Sequence, residues 1–196
     1  MIEYLESVDH WIVLTVNSWN APWLDELMWF ISGRITWIPL YLILLYLGFK
    51  NLSMRNFLAF VGCVVIAVAL ADLISVQLFK ENILRYRPSH NLILNEKLHF
   101  YKLTSGDFYR GGKYGFISSH AANFFALAVS SGLILIQYYR NSLKILLIIA
   151  VIVSFSRLYL GVHYFTDLLV GGIVGGVVGY CIYRFLYLKI ANPSVD

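Results

Sequence analysis

The chain has 196 residues, of which 59% are hydrophobic and 13% charged, with a mean hydropathy of +0.70 and a net charge of +4. Soluble domains carry about 25% charged residues, so this composition excludes a soluble globular enzyme and indicates an integral membrane protein. The basic residues lie between apolar runs instead of forming one patch, which excludes a nucleic-acid-binding surface.

Residues 1–33 are mixed. "WIVLTV" is apolar, but Asn17, Asn20, Pro22, Asp25 and Glu26 interrupt it, and Trp11, Trp19, Trp23 and Trp29 are spread along the stretch. Trp favours the headgroup level, so interfacial helices are expected here, with room for one irregular span. The acidic start "MIEYLESVDHW" lacks the basic opening of a secretory signal. Crossing about 30 Å of hydrocarbon takes roughly 20 apolar residues. Segments 57–79, 117–138 and 163–188 meet this, 143–160 is slightly short, and 35–49 is the shortest. The expected architecture is an all-α integral membrane bundle of five transmembrane helices, or six with the irregular one, forming one domain over 1–196. Cys63 and Cys181 both fall in apolar segments and read as packing residues.

Loop charges orient the bundle. Lys50 with Arg55, Arg140 with Lys144, and Arg184 with Lys189 all fall on one side, which the positive-inside rule makes cytoplasmic. The opposite, outer side carries the acidic N-terminal stretch. It also carries the loop 80–116, which holds Lys80, Arg85, Arg87, Lys97, Lys102, Arg110 and Lys113. Topology gives no reason for cations there; binding an anion does.

Three polar patches share this outer face: "KENILRYRP", "GFISSHAAN" and "SRLYLGVHYFTD". They bring together Lys80, Arg87, Ser118, His120, Arg157, His163 and Asp167. Arg offers a planar fork for phosphate oxygens and Lys a compact charge. Ser118 and Ser119 open a helix, where free N–H groups favour an anion. His163 and Asp167, four apart, share a helical face. A carboxylate accepting the imidazole Nδ1–H leaves Nε2 free as a nucleophile, and His120 is placed to act as general acid. No acidic cluster suits Mg²⁺, so catalysis without metal or cofactor is expected.

In order and spacing, these patches resemble the signature of the type 2 phosphatidic acid phosphatase (PAP2) superfamily: K-x6-RP, then SGH, then SR-x5-H-x3-D. The resemblance covers roughly residues 72–170. Ser119 stands where the pattern has Gly, and Ile117 where Pro is common; a Ser at a helix start is an acceptable cap. The resemblance implies a metal-free lipid phosphatase that acts through a phosphohistidine. His163 would attack phosphorus and Asp167 orient it. His120 would protonate the leaving oxygen and then activate water. Lys80, Arg87, Ser118, the Ser119 N–H and Arg157 would hold the phosphoryl oxygens.

Other residues carry weaker readings. Asp72, inside a span, suits either a partner for an active-site cation or a protonated packing residue. "GGKYGF" (111–116) is an ordinary glycine turn or a backbone approach to substrate aided by Lys113. His10, His90 and His99 read as solvated. Gly171, Gly175 and Gly179, with Gly172 and Gly176 beside them, read as a helix-packing face.

The substrates implied are lipid A phosphate, undecaprenyl pyrophosphate or phosphatidylglycerol phosphate. The basic outer loop favours lipid A, whose headgroup bears several anionic groups. The location implied is a bacterial inner membrane with the site on the periplasmic or outer face. Two other classes compete. A proton-coupled lipid transporter would use His163, His120, Asp167 and Asp72 as a relay, but no inverted repeat is visible. A vanadate-dependent peroxidase shares the anion-binding signature, but those relatives are soluble.

Overall fold

The apolar runs become long helices, and the polar patches become their ends. In the computed structural model, which describes residues 2–191, the order is α1 (Ile2–Asn17), α2 (Pro22–Ser32), a 3₁₀ turn (Ile35–Trp37), α3 (Ile38–Asn51), α4 (Met54–Leu73), α5 (Ser119–Leu135), α6 (Ser142–Tyr159), α7 (Phe165–Cys181) and α8 (Leu188–Ala191). Wider π-type turns, Ile74–Lys80 and Ile182–Tyr187, carry α4 on to Lys80 and join α7 to α8. No strand occurs among the described residues, so the protein is an all-α membrane bundle. Residue 1 and residues 192–196 of the expected single domain lie outside the described residues.

Among the described residues, three helices are long and apolar enough to cross a bilayer: Met54–Lys80, Ser142–Tyr159 and Phe165–Ala191. The pair Pro22–Ser32 and Ile35–Asn51, bent by 70°, counts as a fourth if it forms one span. Pro22 starts α2 at its first turn, where a missing N–H costs nothing. The helix expected over 117–138 is shorter, 17 residues, and is the central element. Its neighbours α4, α6 and α7 surround it, and Ala121, Ala122, Ala126, Ala128, Ser130, Ser131 and Gly132 are buried along it. Small side chains let three helices close around one.

The glycine face of α7 makes the closest of these approaches. A Cβ at Gly175 would lie 2.0 Å from the Ala122 carbonyl oxygen, and at Gly171 and Gly179 it would lie 2.7 Å from those of Ser118 and Ala126. Small residues four apart allow such backbone contact between membrane helices. Gly175→Ala is expected to force α5 and α7 apart at a cost of about 1–3 kcal/mol. The melting temperature in detergent should fall and activity with it. Gly176→Ala, whose new Cβ meets only Val129 at 3.9 Å, should leave both near wild type. Equal behaviour of the two variants would refute the packing role.

One end of the bundle is capped by the loop between Lys80 and Ser118. Leu94, Leu98 and Phe100 from this loop are buried with Val13, Val16 and Met28 of α1 and α2, and with Leu158, Tyr159, Val162 and Tyr164. Asn17 joins the layers, donating from Nδ2 to the carbonyls of His99 (2.9 Å) and Tyr159 (2.8 Å). Trp11, Trp19 and Trp23 stay exposed, whereas Trp29 stacks on Tyr101 at 4.7 Å. The C-terminal end of α4, the N-termini of α5 and α7 and the C-terminus of α6 all meet under this cap.

Candidate active site

Gly161 sets the geometry of the third patch. Its φ of +67° lets the chain turn sharply after α6, and Val162 N–H then donates to Arg157 O at 3.2 Å. Arg157 and His163 are thereby brought to the same end of the bundle. Asp167 sits in the first turn of α7, fully buried, where negative charge is favoured. Its Oδ2 accepts from Tyr164 N–H at 3.0 Å and lies 3.3 Å from His163 Nδ1. Its carbonyl accepts Ser118 N–H at 3.0 Å, which ties the start of α7 to the start of α5.

Arg87 approaches the other ring nitrogen, with one guanidinium nitrogen 2.9 Å from His163 Nε2. An arginine N–H can only donate. Nε2 therefore carries the lone pair, and Nδ1 carries the proton given to Asp167. Burial, together with the charges of Arg87, Arg157, Lys80 and His120, holds the His163 pKa well below its usual value, so the ring is neutral at pH 7. Arg87 also donates to the carbonyls of Tyr114 and Val162, each at 3.1 Å. Burial and the charge of Arg157 lower its pKa to about 10, still charged near neutrality.

Lys80 donates to Ser119 Oγ at 2.5 Å, and Ser75 Oγ lies 2.6 Å from the same oxygen. Ser119 was expected to serve as a helix cap. Ser118 is the capping residue instead, and the Ser119 hydroxyl positions the lysine. The first N–H groups of α5, including that of Ser119, have no intrahelical partner. Arg157, 3% exposed, donates to Ser32 and, at 2.8 Å, to Tyr109 Oη. Ser118 Oγ and Arg157 Nε are buried without a partner among the described residues. A polar atom left so is costly, and a phosphoryl oxygen would satisfy each.

His120, in the first turn of α5, lines a cavity of about 480 Å³ with Ser32, Arg34, Tyr41, Asp72, Ser119 and Asn123. Asp72 accepts from Asn123 Nδ2 at 3.0 Å, a contact that neither expectation for it included. Lys113 is exposed and lies 5.5 Å and 5.4 Å from the Tyr86 and Tyr114 ring centres. The "GGKYGF" stretch nonetheless backs the site. A Cβ at Gly115 would lie 2.9 Å from Arg87 Cγ and 3.2 Å from Asp167 Oδ2. Among the described residues, no three His, Cys, Asp or Glu side chains gather as a metal site.

Sequence reasoning missed Arg85 and Asp9. Arg85 bridges Asp167 Oδ1 (3.0 Å) and Asp9 Oδ2 (2.8 Å), donates to Thr166 Oγ1 at 2.8 Å, and lies over the Tyr164 ring at 4.1 Å. Burial alone would lower its pKa, but the hydrogen bond to Asp9 and the charges of Asp167 and Asp9 outweigh it and the value rises. Of the seven loop cations, Lys80 and Arg87 reach the site directly and Arg85 braces it. Arg110 lies 5.0 Å from the Phe100 ring centre, and Lys97 and Lys102 are exposed. His99 pairs with Asp25 at 2.8 Å, and His10 lies against the Tyr164 ring.

Known proteins share this sequence and fold. The PAP2 superfamily model matches residues 56–191. The chain is 35% identical over 191 residues to the lipid A 4'-phosphatase of Porphyromonas gingivalis, covering 96% of this chain and 77% of the relative. It is 33% identical over 197 residues to that of Bacteroides thetaiotaomicron, covering 100% and 84%. Its fold matches the crystal structure of a transmembrane PAP2-type phosphatidylglycerolphosphate phosphatase from Bacillus subtilis with a TM-score of 0.69 at 23% identity, over 91% of this chain and 84% of that one. The chain belongs to the PAP2 superfamily and is a membrane lipid phosphatase.

Proposed function

We propose that the protein removes a phosphate from lipid A, without a metal ion, through a phosphohistidine formed on His163. The observation that carries this is the state of His163: a neutral ring whose Nδ1–H faces Asp167 and whose Nε2 lone pair faces the cation of Arg87. That is the tautomer a nucleophile requires.

An incoming phosphate draws Arg87 from Nε2 to its own oxygens and exposes the lone pair. Nε2 attacks phosphorus, the bond to the lipid oxygen breaks, and His120, which takes up a proton once the bound phosphate offsets the surrounding cations, donates it to the departing oxygen. Asp167 stabilises the positive charge on the ring. Lys80, Arg87, Arg157, Ser118 and the Ser119 N–H hold the three phosphoryl oxygens, where preorganised donors act most strongly on the transition state. His120 then takes a proton from water, the water oxygen attacks phosphorus, and the P–N bond breaks to release inorganic phosphate and restore His163.

The lipid A assignment is supported by the two relatives above and by the polar cavity beside His120. The site lies at the end of the bundle away from Lys50, Arg55, Arg140, Lys144, Arg184 and Lys189, which supports a periplasmic or outer face of a bacterial inner membrane. Purified protein in detergent with a chelator should release phosphate from lipid A faster than from undecaprenyl pyrophosphate or phosphatidylglycerol phosphate. Faster release from either of the latter overturns the substrate assignment, and activity lost to the chelator overturns the metal-free mechanism.

A further inference from the structure

The cavity of about 480 Å³ has two kinds of wall. Near His120 it is polar, with Asp72, Asn123 and Arg34; further along it is apolar, with Phe124 and Leu127. If His120 protonates the leaving oxygen, as proposed above, the cavity it borders receives the leaving group and not the phosphate. A carboxylate there needs an explanation, because it repels an anionic substrate and is costly in a span. Among the described residues it makes no ion pair. Its one side-chain partner among the described residues is the Asn123 amide at 3.0 Å, and Asn123 Oδ1 is itself buried without a partner. Asn123 stands one turn after His120 on the same face of α5.

We infer that Asp72 and Asn123 form a subsite for a leaving group bearing hydroxyl or amide N–H groups, the chemistry of a sugar headgroup, and so select a phosphorylated glycolipid over a polyprenyl pyrophosphate. Asp72 accepts from a hydroxyl next to the scissile bond. Asn123 Oδ1 gains a donor, and the apolar far wall takes the first part of an acyl chain. The group leaving a polyprenyl pyrophosphate is a polyprenyl phosphate, whose ionised oxygens offer no donor, so Asn123 Oδ1 stays unmatched and Asp72 keeps only the Asn123 amide. A pocket built to hydrogen-bond a polar group rejects an analogue lacking it far more strongly than an apolar pocket rejects an extra methylene.

This deepens the lipid A reading and rests on it. The test compares kcat/KM for lipid A with that for undecaprenyl pyrophosphate in wild type, Asp72→Ala, Asp72→Asn and Asn123→Ala. The ratio is unaffected by any fraction of enzyme that fails to fold. Wild type should prefer lipid A, and Asp72→Ala should reduce the ratio by about tenfold or more, the loss of a hydrogen bond to a charged group. Asp72→Asn, which keeps size and an acceptor, and Asn123→Ala should reduce it less. If wild type prefers lipid A but the ratio in Asp72→Ala stays within about twofold of it, this inference alone is overturned. If wild type prefers the polyprenyl substrate, the proposed function fails and the inference fails with it.

Discussion

His163→Ala is expected to lower phosphate release by at least about 10³-fold, because removing a covalent nucleophile leaves only binding and electrostatic stabilisation. The protein should still fold. The ring is 1% exposed and its loss opens a cavity, but the bracing of Asp167 by Arg85 and by Tyr164 N–H does not pass through it. Lipid binding should survive in part, since Lys80, Arg87 and Arg157 remain. Steady-state release and a lipid pull-down on the same preparation separate the two effects. A variant that keeps wild-type turnover removes His163 from the mechanism.

Arg85→Ala is expected to have the largest effect on stability. Asp9 and Asp167 are 1% and 0% exposed, and Arg85 is the cation that reaches both. Breaking a buried pair from one side leaves an uncompensated charge and typically costs about 3–5 kcal/mol; here two carboxylates share the loss. The melting temperature in detergent should drop clearly, and activity should fall because Asp167 is freed to move away from Nδ1. Arg85→Lys should recover little, since one ammonium cannot replace a fork that spans two carboxylates and Thr166. An unchanged melting temperature would show that α1 is not pinned to the site through this contact.

The sequence made the chemistry of the site more legible than its support. Lys80, Arg87, Ser118, His120, Arg157, His163 and Asp167 are polar groups at the ends of apolar runs. The cost of placing them there marks them individually. The face of Gly171, Gly175 and Gly179 was equally plain, because a spacing of four is a local property of one helix. Arg85 was hidden. It falls between Lys80 and Arg87, where the pattern allows any residue, and its partner Asp9 is 76 positions away. Tertiary pairing of that kind has no period. Asp9 itself gave little signal, since it is the third acid of the stretch after Glu3 and Glu6.

The hydroxyl of Ser119 is a related case. Its place at a helix start suggested a cap, but Lys80 arrives from α4, 39 positions earlier, and takes the oxygen. Helix lengths were legible where a run faces lipid, as in α4 and α6. They were less so for α5, whose small residues answer to neighbouring helices and not to bilayer thickness. The loop cations misled in number, since several of them stack on aromatic rings or stay in solvent.

In the proposed mechanism His163 carries the phosphoryl group between two half-reactions. Rapid quenching of wild type with lipid A carrying a radiolabelled phosphate, followed by digestion in base, tests it most directly, because phosphohistidine survives base and is lost in acid. The expected result is base-stable label on the peptide containing His163, absent in His163→Ala. Product formed with no protein-bound label at any time, or label carried by another residue, would contradict the account.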